Sequence, residues 1–273
     1  MDLTVPNETT LVTATLSQPD IHKKWEDAFR TPENARYYDM AFERVTELID
    51  LPVGSRALDA GCGICDYAIR LARRGFEVTA IDFSESVIPA ARANVARNGL
   101  ADRIAVSQAD ILSLGFADGA FDCVLCWGVL MHIPDIDRAL DELTRVLQPG
   151  GVLVISEGNL RSIQSRCLRL PRRLFARTAG DTRRTPAGLE HWAKTEAGTL
   201  LTREADIKWL VRRLAERGLR LRALTAGQFT ELYTRLRFLP ASRLIHRLNA
   251  FWFRYVRLPG PAVGNLLIFQ RRT

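Results

Sequence analysis

Short apolar segments alternate with helical segments along residues 55–157, and this alternation constrains the fold more than any other feature of the 273-residue chain. Apolar strands separated by helices form parallel βαβ units in an α/β sheet that is covered on both faces. Right-handed crossovers make such a fold doubly wound and Rossmann-like. The predicted strands are 55–60, 76–82, 104–109, 121–127 and 152–157, and the predicted helices are 67–74, 84–97 and 136–147.

Weaker patterns flank this core, and together with it they predict one domain over residues 1–273. The first 20 residues are polar and irregular, so no element is predicted there. Apolar residues spaced three to four apart predict a helical segment over residues 21–50. Further along, we predict a cap-like insertion (158–202), a helix (203–217) with Thr202 as N-cap, a strand (219–224), a basic helical insertion (229–257) and a final strand (265–270).

Net charge is distributed unevenly along the chain. The total is +7, but residues 1–159 carry −10 and residues 160–273 carry +17. A basic C-terminal part indicates either an anionic partner or attraction between the two parts of the chain. No apolar run reaches the ~18 residues of a membrane span, and the N-terminus lacks the basic and apolar regions of a signal peptide. These observations favour a cytoplasmic location, in which the five cysteines stay reduced.

A glycine turn joins the first predicted strand to the first predicted helix in the sequence ALDAGCGICDYAIRLA, residues 57–72. Gly61 and Gly63 permit a sharp turn and a close approach of a ligand to the backbone. A dinucleotide pyrophosphate binds at such a turn when the helix N-terminus is free. Here Asp59 precedes the glycines and Asp66 begins the helix, and fixed carboxylates repel a pyrophosphate. The pattern therefore favours a ligand with positive charge and no phosphate.

Two more carboxylates follow the next two predicted strands. Asp82 ends the second strand, 19 residues after Gly63, where an acid accepts hydrogen bonds from ribose hydroxyls in such folds. Asp110 ends the third strand and is followed by Ile111, and a side-chain acceptor beside a backbone N–H can bind an adenine edge. Ligands bind at the carboxyl ends of the strands in open α/β sheets. The acids therefore predict a nucleoside site at that edge.

The motifs ALDAGCG, VTAIDFS, QADI, FDCVLCWGVLMHI and LQPGGVLVISE occur in this order within residues 54–157. This arrangement resembles the class I S-adenosylmethionine-dependent methyltransferases. The resemblance implies a seven-stranded, mostly parallel sheet with an antiparallel last strand, and S-adenosyl-L-methionine as cofactor. It places Asp59, Gly61 and Gly63 around the methionine portion, Asp82 on the ribose, Phe83 beside the adenine, Asp110 and Ile111 on the adenine, and Trp127 in the pocket wall.

Methyl transfer to oxygen or nitrogen can require a general base, and three residues are candidates. His132 follows the fourth strand, where the resemblance places a residue facing the acceptor; Glu157 ends the fifth strand; His191 lies within the cap-like insertion. Each also has an ordinary structural interpretation, as a hydrogen-bonded loop histidine, an exposed strand end and a surface residue, respectively.

Two Cys-x-x-Cys pairs, at residues 62–65 and 123–126, resemble half-sites for zinc. The first pair lies within the glycine turn, and the second begins in the middle of a strand whose side chains alternate between faces. We therefore interpret them as small buried side chains and predict no metal site.

The resemblance implies methyl transfer, and we expect a small-molecule, lipid-linked or carrier-linked acceptor that is methylated at oxygen. An RNA- or other nucleic-acid-directed methyltransferase or binding protein is the alternative, suggested by the basic C-terminal part and by the aromatic-basic run FWFRYVR. A dinucleotide-dependent oxidoreductase is disfavoured by Asp66, and a non-catalytic nucleoside sensor stays open. Apolar residues and arginines in residues 229–257 predict either peripheral contact with an anionic membrane or packing on the acidic N-terminal part.

Overall fold

Seven strands form one sheet in the computed structural model, which describes residues 7–168, 181–236 and 239–273. Their order across the sheet is β3-β2-β1-β4-β5-β10-β9, and β10 is antiparallel to both of its neighbours. The predicted seven-stranded, mostly parallel sheet with an antiparallel last strand is confirmed. The strands are β1 (Arg56–Ala60), β2 (Glu77–Asp82), β3 (Ile104–Gln108), β4 (Phe121–Trp127), β5 (Leu147–Gly158), β9 (Leu219–Ala226) and β10 (Gly264–Arg271).

Helices cover both faces of the sheet and bury two apolar clusters against it. One cluster contains residues of α6 and α7, and the other contains residues of α3, α4 and α5. This arrangement leaves the carboxyl ends of β1 to β4 at one edge, where a ligand site is expected. The helices are α1 (Glu8–Leu16), α2 (Pro19–Phe29), α3 (Pro32–Ile49), α4 (Asp66–Ala72), α5 (Ile88–Arg97), α6 (Ile136–Val146), α7 (Ile207–Glu216) and α8 (Leu239–Phe251).

The N-terminal segment differs from the sequence prediction, because residues 8–16 form α1. Asn7 caps this helix by accepting a hydrogen bond from the Thr9 amide at 3.1 Å. Val12 and Leu16 are buried against a second sheet. A short helix rich in threonine has little intrinsic stability, so this packing supplies most of it. The predicted helical segment 21–50 is two helices, since Thr31 caps α3 and Pro32 begins it.

The second sheet also differs from the prediction of an irregular cap followed by a helix from residue 203. Three antiparallel strands, β6 (Asp181–Thr185), β7 (Gly188–Thr195) and β8 (Gly198–Ala205), form what we call the accessory sheet. Thr202 lies within β8, and α7 begins only after Asp206, whose side chain accepts hydrogen bonds from two backbone amides of the first turn. Residues 169–180 of the predicted insertion lie outside the described residues.

The basic insertion is helical only in its second half. Residues 229–236 form a loop with one short 3₁₀ turn, and α8 continues into a π-helical turn at Trp252–Val256. The loop is tied to α8 because the Asn249 side chain accepts from the Thr230 amide (3.0 Å) and donates to the Thr230 carbonyl (2.9 Å). Residues 237–238 lie outside the described residues.

Candidate active site

A cavity of about 270 Å³ opens at the carboxyl edge of the sheet. Its floor is made by the segments that follow β1, β2, β3 and β4, as the strand-end carboxylates predicted. Its opposite wall comes from the N-terminal helices, which the sequence analysis did not assign to the site. The α1 residues in this wall are Thr9, Val12, Thr13 and Leu16. They are spaced three and four residues apart, and this spacing is the sequence pattern of a helix that turns one side toward a ligand.

The glycine turn forms one end of the cavity. Gly61 has φ of +84°, and a Cβ atom there would lie 2.5 Å from Val129 Cγ2. The turn is fixed to β2 because the amides of Gly61 and Cys62 both donate to the Ile81 carbonyl, at 2.9 and 2.8 Å. Asp66 begins α4 and forms an ion pair with Arg30 at 3.4 Å. The backbone therefore bends close to the cavity beside a carboxylate that is paired with an arginine, and both charged groups line the cavity.

Asp82 is held rigidly at the cavity edge. Its Oδ2 accepts from the Gly63 amide at 2.9 Å, and its Oδ1 accepts from the Ser84 amide at 3.0 Å. Burial raises the pKa of this carboxyl, and the backbone N–H bonds act in the opposite direction. Each carboxylate oxygen has two lone pairs, so the group can still accept from a pair of hydroxyls. The arrangement fits the predicted ribose contact.

The residues predicted to hold adenine follow the neighbouring strands β2 and β3. Phe83, Asp110 and Ile111 all line the cavity. The Oδ1 atom of Asp110 accepts from the Leu112 amide at 2.9 Å, which fixes the side chain at the end of the strand. Gln108 donates to the Phe83 carbonyl at 3.0 Å and so joins the β2 and β3 ends. An aromatic ring, an apolar side chain and a carboxylate at one place suit a purine.

Two other predicted cofactor residues have different surroundings. Trp127 lines the cavity and packs in an aromatic cluster, with ring centroids 5.2 Å from those of Phe42 and Tyr67. Asp59 is buried inside β1 and does not line the cavity, although the resemblance placed it near the methionine portion. Burial raises the pKa of Asp59 to about 7. The structure thus places the Asp59 side chain in the interior of the sheet and not in the cavity lining.

The structure brings one of the three candidate bases to the cavity, namely His132. Its Nδ1 lies 2.7 Å from the Leu201 carbonyl oxygen on β8. A carbonyl can only accept, so Nδ1 carries the proton and Nε2 carries the lone pair. Burial lowers the pKa of His132 to about 4, which keeps the ring neutral.

The other two candidates lie elsewhere. Glu157 is buried at the end of β5, outside the cavity lining, and burial raises its pKa to about 8 against the influence of Arg203. This burial differs from the exposed strand end that the sequence suggested as an alternative. His191 lies on β7, where its Nε2 is 3.3 Å from Glu204 Oε1, and it also lies outside the cavity lining.

The four cysteines of the Cys-x-x-Cys pairs are buried and reduced. Within the described parts of the chain, no group of three or more His, Cys, Asp or Glu side chains is arranged to hold a metal ion. A search of the same residues finds no helix with the length and apolar composition needed to cross a membrane.

Similarity to solved structures supports the fold assignment. The PH0226 protein from Pyrococcus horikoshii superposes with a TM-score of 0.61 at 15% identity, over 93% of this chain and 100% of that one. The [4+2]-cyclase SpnF gives a TM-score of 0.58 at 23% identity, over 86% and 81% of the two chains. An S-adenosylmethionine-dependent methyltransferase from Methanosarcina mazei gives 0.57 at 22% identity, over 81% and 94%.

Sequence comparison identifies the family of the sheet core, since a family profile described as a methyltransferase domain matches residues 58–155. The methyltransferase GfsG of Streptomyces halstedii is 34% identical over 49% of this chain and 48% of its own. The 27-O-demethylrifamycin SV methyltransferase of Amycolatopsis mediterranei is 33% identical over 50% of each chain. The chain thus spans about half the length of these curated relatives. Domain match and relatives agree on the sheet core: residues 58–155 match a methyltransferase domain, and these two curated relatives, which share about half of this chain, are methyltransferases.

Proposed function

We propose that the protein transfers the methyl group of S-adenosylmethionine to an oxygen atom of an apolar small molecule, either free or linked to a lipid or carrier. The observation that carries this proposal is the composition of the cavity. Its floor holds the strand-end acids Asp82 and Asp110 together with His132 in the turn after β4, and its opposite wall supplies apolar residues of α1. Two relatives support a small-molecule acceptor, because their names specify demethylrifamycin and demethylmenaquinone.

Each part of the cavity has a separate task in this proposal. The bound cofactor supplies an electrophilic methyl group on a sulfonium; Asp82 and Asp110 hold its nucleoside end, and the glycine turn holds its methionine portion. The apolar α1 side chains orient the acceptor and exclude water, which is the main requirement of an in-line displacement. His132 accepts the hydroxyl proton at Nε2, because Nδ1 already donates to the Leu201 carbonyl.

The alternative functions fit this geometry less well. A nucleic-acid strand needs an open basic groove, whereas α1 forms a wall of this cavity. A dinucleotide needs room and positive potential for its pyrophosphate, but Asp66 stands at the glycine turn. The likeness to a cyclase shows that the fold alone does not determine the reaction, so turnover needs its own measurement.

Calorimetry with three ligands tests the cofactor assignment. We expect S-adenosylmethionine and S-adenosylhomocysteine to bind and NAD to give no measurable heat, because the carboxylate of Asp66 opposes a pyrophosphate at the turn. Acceptors are then screened as a panel of phenols, quinols and macrocyclic alcohols, with release of S-adenosylhomocysteine as the signal. Binding of NAD as tightly as S-adenosylhomocysteine would contradict the proposal.

We also propose peripheral contact with an anionic membrane through the outer face of α8 and its π-helical turn. Five large apolar side chains are exposed along this face: Leu244 (68%), Leu248 (40%), Phe251 (54%), Tyr255 (67%) and Leu258 (56%). The first four are spaced three and four residues apart along α8 and its π-helical turn, which places them on one side, and Leu258 follows just after the turn ends. The opposite side is anchored to the domain, since the Phe253 ring packs 5.4 Å from that of Tyr37 on α3.

Exposed arginines accompany this apolar face. Arg243, Arg247 and Arg254 are exposed, and no Asp or Glu occurs from residue 232 to the C-terminus. Among the described residues, no ion pair reaches these three arginines. Exposed leucine and phenylalanine beside unneutralised arginine is the composition of an interfacial helix. A nucleic acid would pair with the arginines but would leave the aliphatic side chains exposed to water.

Vesicle sedimentation tests this contact. We expect the protein to sediment with phosphatidylserine-containing vesicles at low salt, and to be released at high salt, because each basic residue contributes about 1 kcal/mol to binding. The double variant Arg243→Gln/Arg247→Gln should bind more weakly, whereas Arg103→Gln, in the turn before the edge strand β3, should bind normally. Equal recovery in the supernatant with neutral and anionic vesicles at low salt would exclude the contact.

A further inference from the structure

A buried arginine of the accessory sheet contacts the segment that carries His132. Arg203, on β8, is only 2% exposed. Its Nη1 donates to the carbonyl oxygens of Leu130 and Ile133, both at 2.9 Å, which flank His132 in the turn after β4. Strand β8 also supplies the Leu201 carbonyl that accepts from His132 Nδ1 at 2.7 Å. The turn is therefore fixed to one strand at three points.

Glu190, on β7, holds the arginine in this position. Its Oε1 accepts from Arg203 Nε at 3.1 Å and from Nη2 at 2.8 Å, while its Oε2 accepts from Trp192 Nε1 at 3.1 Å. Trp192 in turn packs in one cluster with Val12 and Leu16 of α1, the helix that forms the outer cavity wall. A continuous set of contacts thus joins the cavity wall to the His132 turn.

The energetics of this pair indicate a purpose beyond stability. Withdrawing two charges from water costs several kcal/mol per ion, and an apolar pair of similar volume is often equally or more stabilising. The guanidinium has a rigid planar set of hydrogen-bond donors. Here it donates two hydrogen bonds to carbonyl groups beside His132. A lysine could match the charge but not that geometry.

We propose that Arg203 and Glu190 form a positioning unit that fixes the place and the tautomer of His132 relative to the acceptor side of the cavity. The catalytic consequence of this inference rests on the proposed methyl transfer. The structural consequence does not, because the tautomer of His132 can be observed without turnover. The charged groups that adjoin the turn are Arg203 on β8, Glu190 on β7 and Glu157 on β5.

The test compares Arg203→Lys and Glu190→Gln with the parent by ¹⁵N-histidine NMR of the complex with S-adenosylhomocysteine. In the parent we expect the Nδ1–H tautomer of His132, assigned by its loss in His132→Gln. In both variants we expect a mixture of tautomers, a His132 pKa nearer its ordinary value, and unchanged affinity for S-adenosylhomocysteine. With an acceptor from the screen, kcat should fall ~10-fold or more while KM changes little, since positioning affects the transferred proton. Arg161→Lys, in an exposed pair with Asp206, is the matched control.

If the single variants lose their fold, they do not test the inference. The double variant Arg203→Met/Glu190→Met therefore provides a second measurement, because it contains no unpaired buried charge. A folded variant that keeps the parent's His132 signals would overturn the inference, and so would altered signals with unchanged kcat. A parent enzyme that methylates no acceptor would count against the proposed function, while the NMR result would still decide the structural role of the pair.

Discussion

Replacement of His132 by glutamine is expected to lower the turnover number by ~10²–10⁴-fold, the usual contribution of a general base. Glutamine keeps a polar group in the cavity wall, but it cannot take a proton from an acceptor hydroxyl. Affinity for S-adenosylhomocysteine should stay near that of the parent, since the residues that we predict to bind the nucleoside lie at the ends of other strands. The measurement is release of S-adenosylhomocysteine with an acceptor from the screen. The low pKa of His132 makes it a weak base, so we expect a loss toward the lower end of the range.

The pH dependence of turnover in the parent should reflect the low pKa of the buried His132 ring. An ordinary histidine becomes protonated near pH 6.5, whereas burial lowers the pKa of His132 to about 4. The neutral, base-competent form therefore persists as pH falls from 7 to 5, and turnover should decline from this cause only near pH 4. Because the unfolded chain takes up this proton at a higher pH, the free energy of unfolding should also fall between pH 6.5 and 4, and less so in His132→Gln.

His191→Gln is the matched control, since it makes the same chemical change on the accessory sheet outside the cavity lining. We expect it to retain the parent's turnover. Normal turnover in His132→Gln would remove His132 from the mechanism. Reduced turnover in His191→Gln alone would transfer the role of base to the accessory sheet.

The sheet core could be predicted from the sequence because its pattern is local and repeated. Five apolar strands alternate with helices that end at glycine or proline. The observed strand ends differ from the predicted ones by at most about one residue, except in β5. Strand β5 begins earlier than predicted, at Leu147. The residues Gln148, Pro149 and Gly150 resemble a helix end in the sequence, but in the structure they continue the extended strand. Turn residues mark an interruption without determining which element follows it.

The elements above the cavity could not be predicted in the same way. α1 has a threonine-rich sequence, and its burial depends on side chains almost 200 residues away. In β8 one of the buried positions is held by Arg203, so the strand lacks the ordinary alternation of apolar and polar residues. The partners that satisfy this buried guanidinium, Glu190 and the carbonyl groups of Leu130 and Ile133, lie on other segments of the chain. Non-local pairing of this kind leaves no periodicity for a sequence to reveal.

The predicted site residues also fall into two groups, those at the ends of strands and one inside a strand. Asp82 and Asp110 were predicted from their places at strand ends, and both line the cavity, because every parallel strand delivers its carboxyl end to one edge. Asp59 lies two residues earlier than Gly61, still inside β1, and its side chain is buried in a sheet that helices cover on both faces. Its assignment to the cofactor stays a prediction.

Asp82→Ala is expected to weaken binding of S-adenosylhomocysteine by ~1–3 kcal/mol, which is about 5- to 150-fold in Kd. The ribose hydroxyls would lose a charged acceptor at a buried site, and the amides of Gly63 and Ser84 would lose the partner that fixes the glycine turn. Asp82→Asn keeps the shape and one acceptor, so its loss should be smaller. Because burial raises the pKa of this carboxyl, affinity in the parent should decline as pH falls toward that pKa, and in Asp82→Asn it should not.

Calorimetry with S-adenosylhomocysteine measures all of these effects without an acceptor. Asp102→Ala, which removes an exposed carboxylate from the loop before β3, is the matched control and should bind like the parent. Both substitutions remove one negative charge, so a general electrostatic effect would appear in each of them. A loss confined to Asp82→Ala assigns the effect to the hydrogen bonds at the end of β2. Equal affinity of Asp82→Ala and the parent would show that the ribose is held by other groups, and the nucleoside end would then have to be assigned again from Asp110.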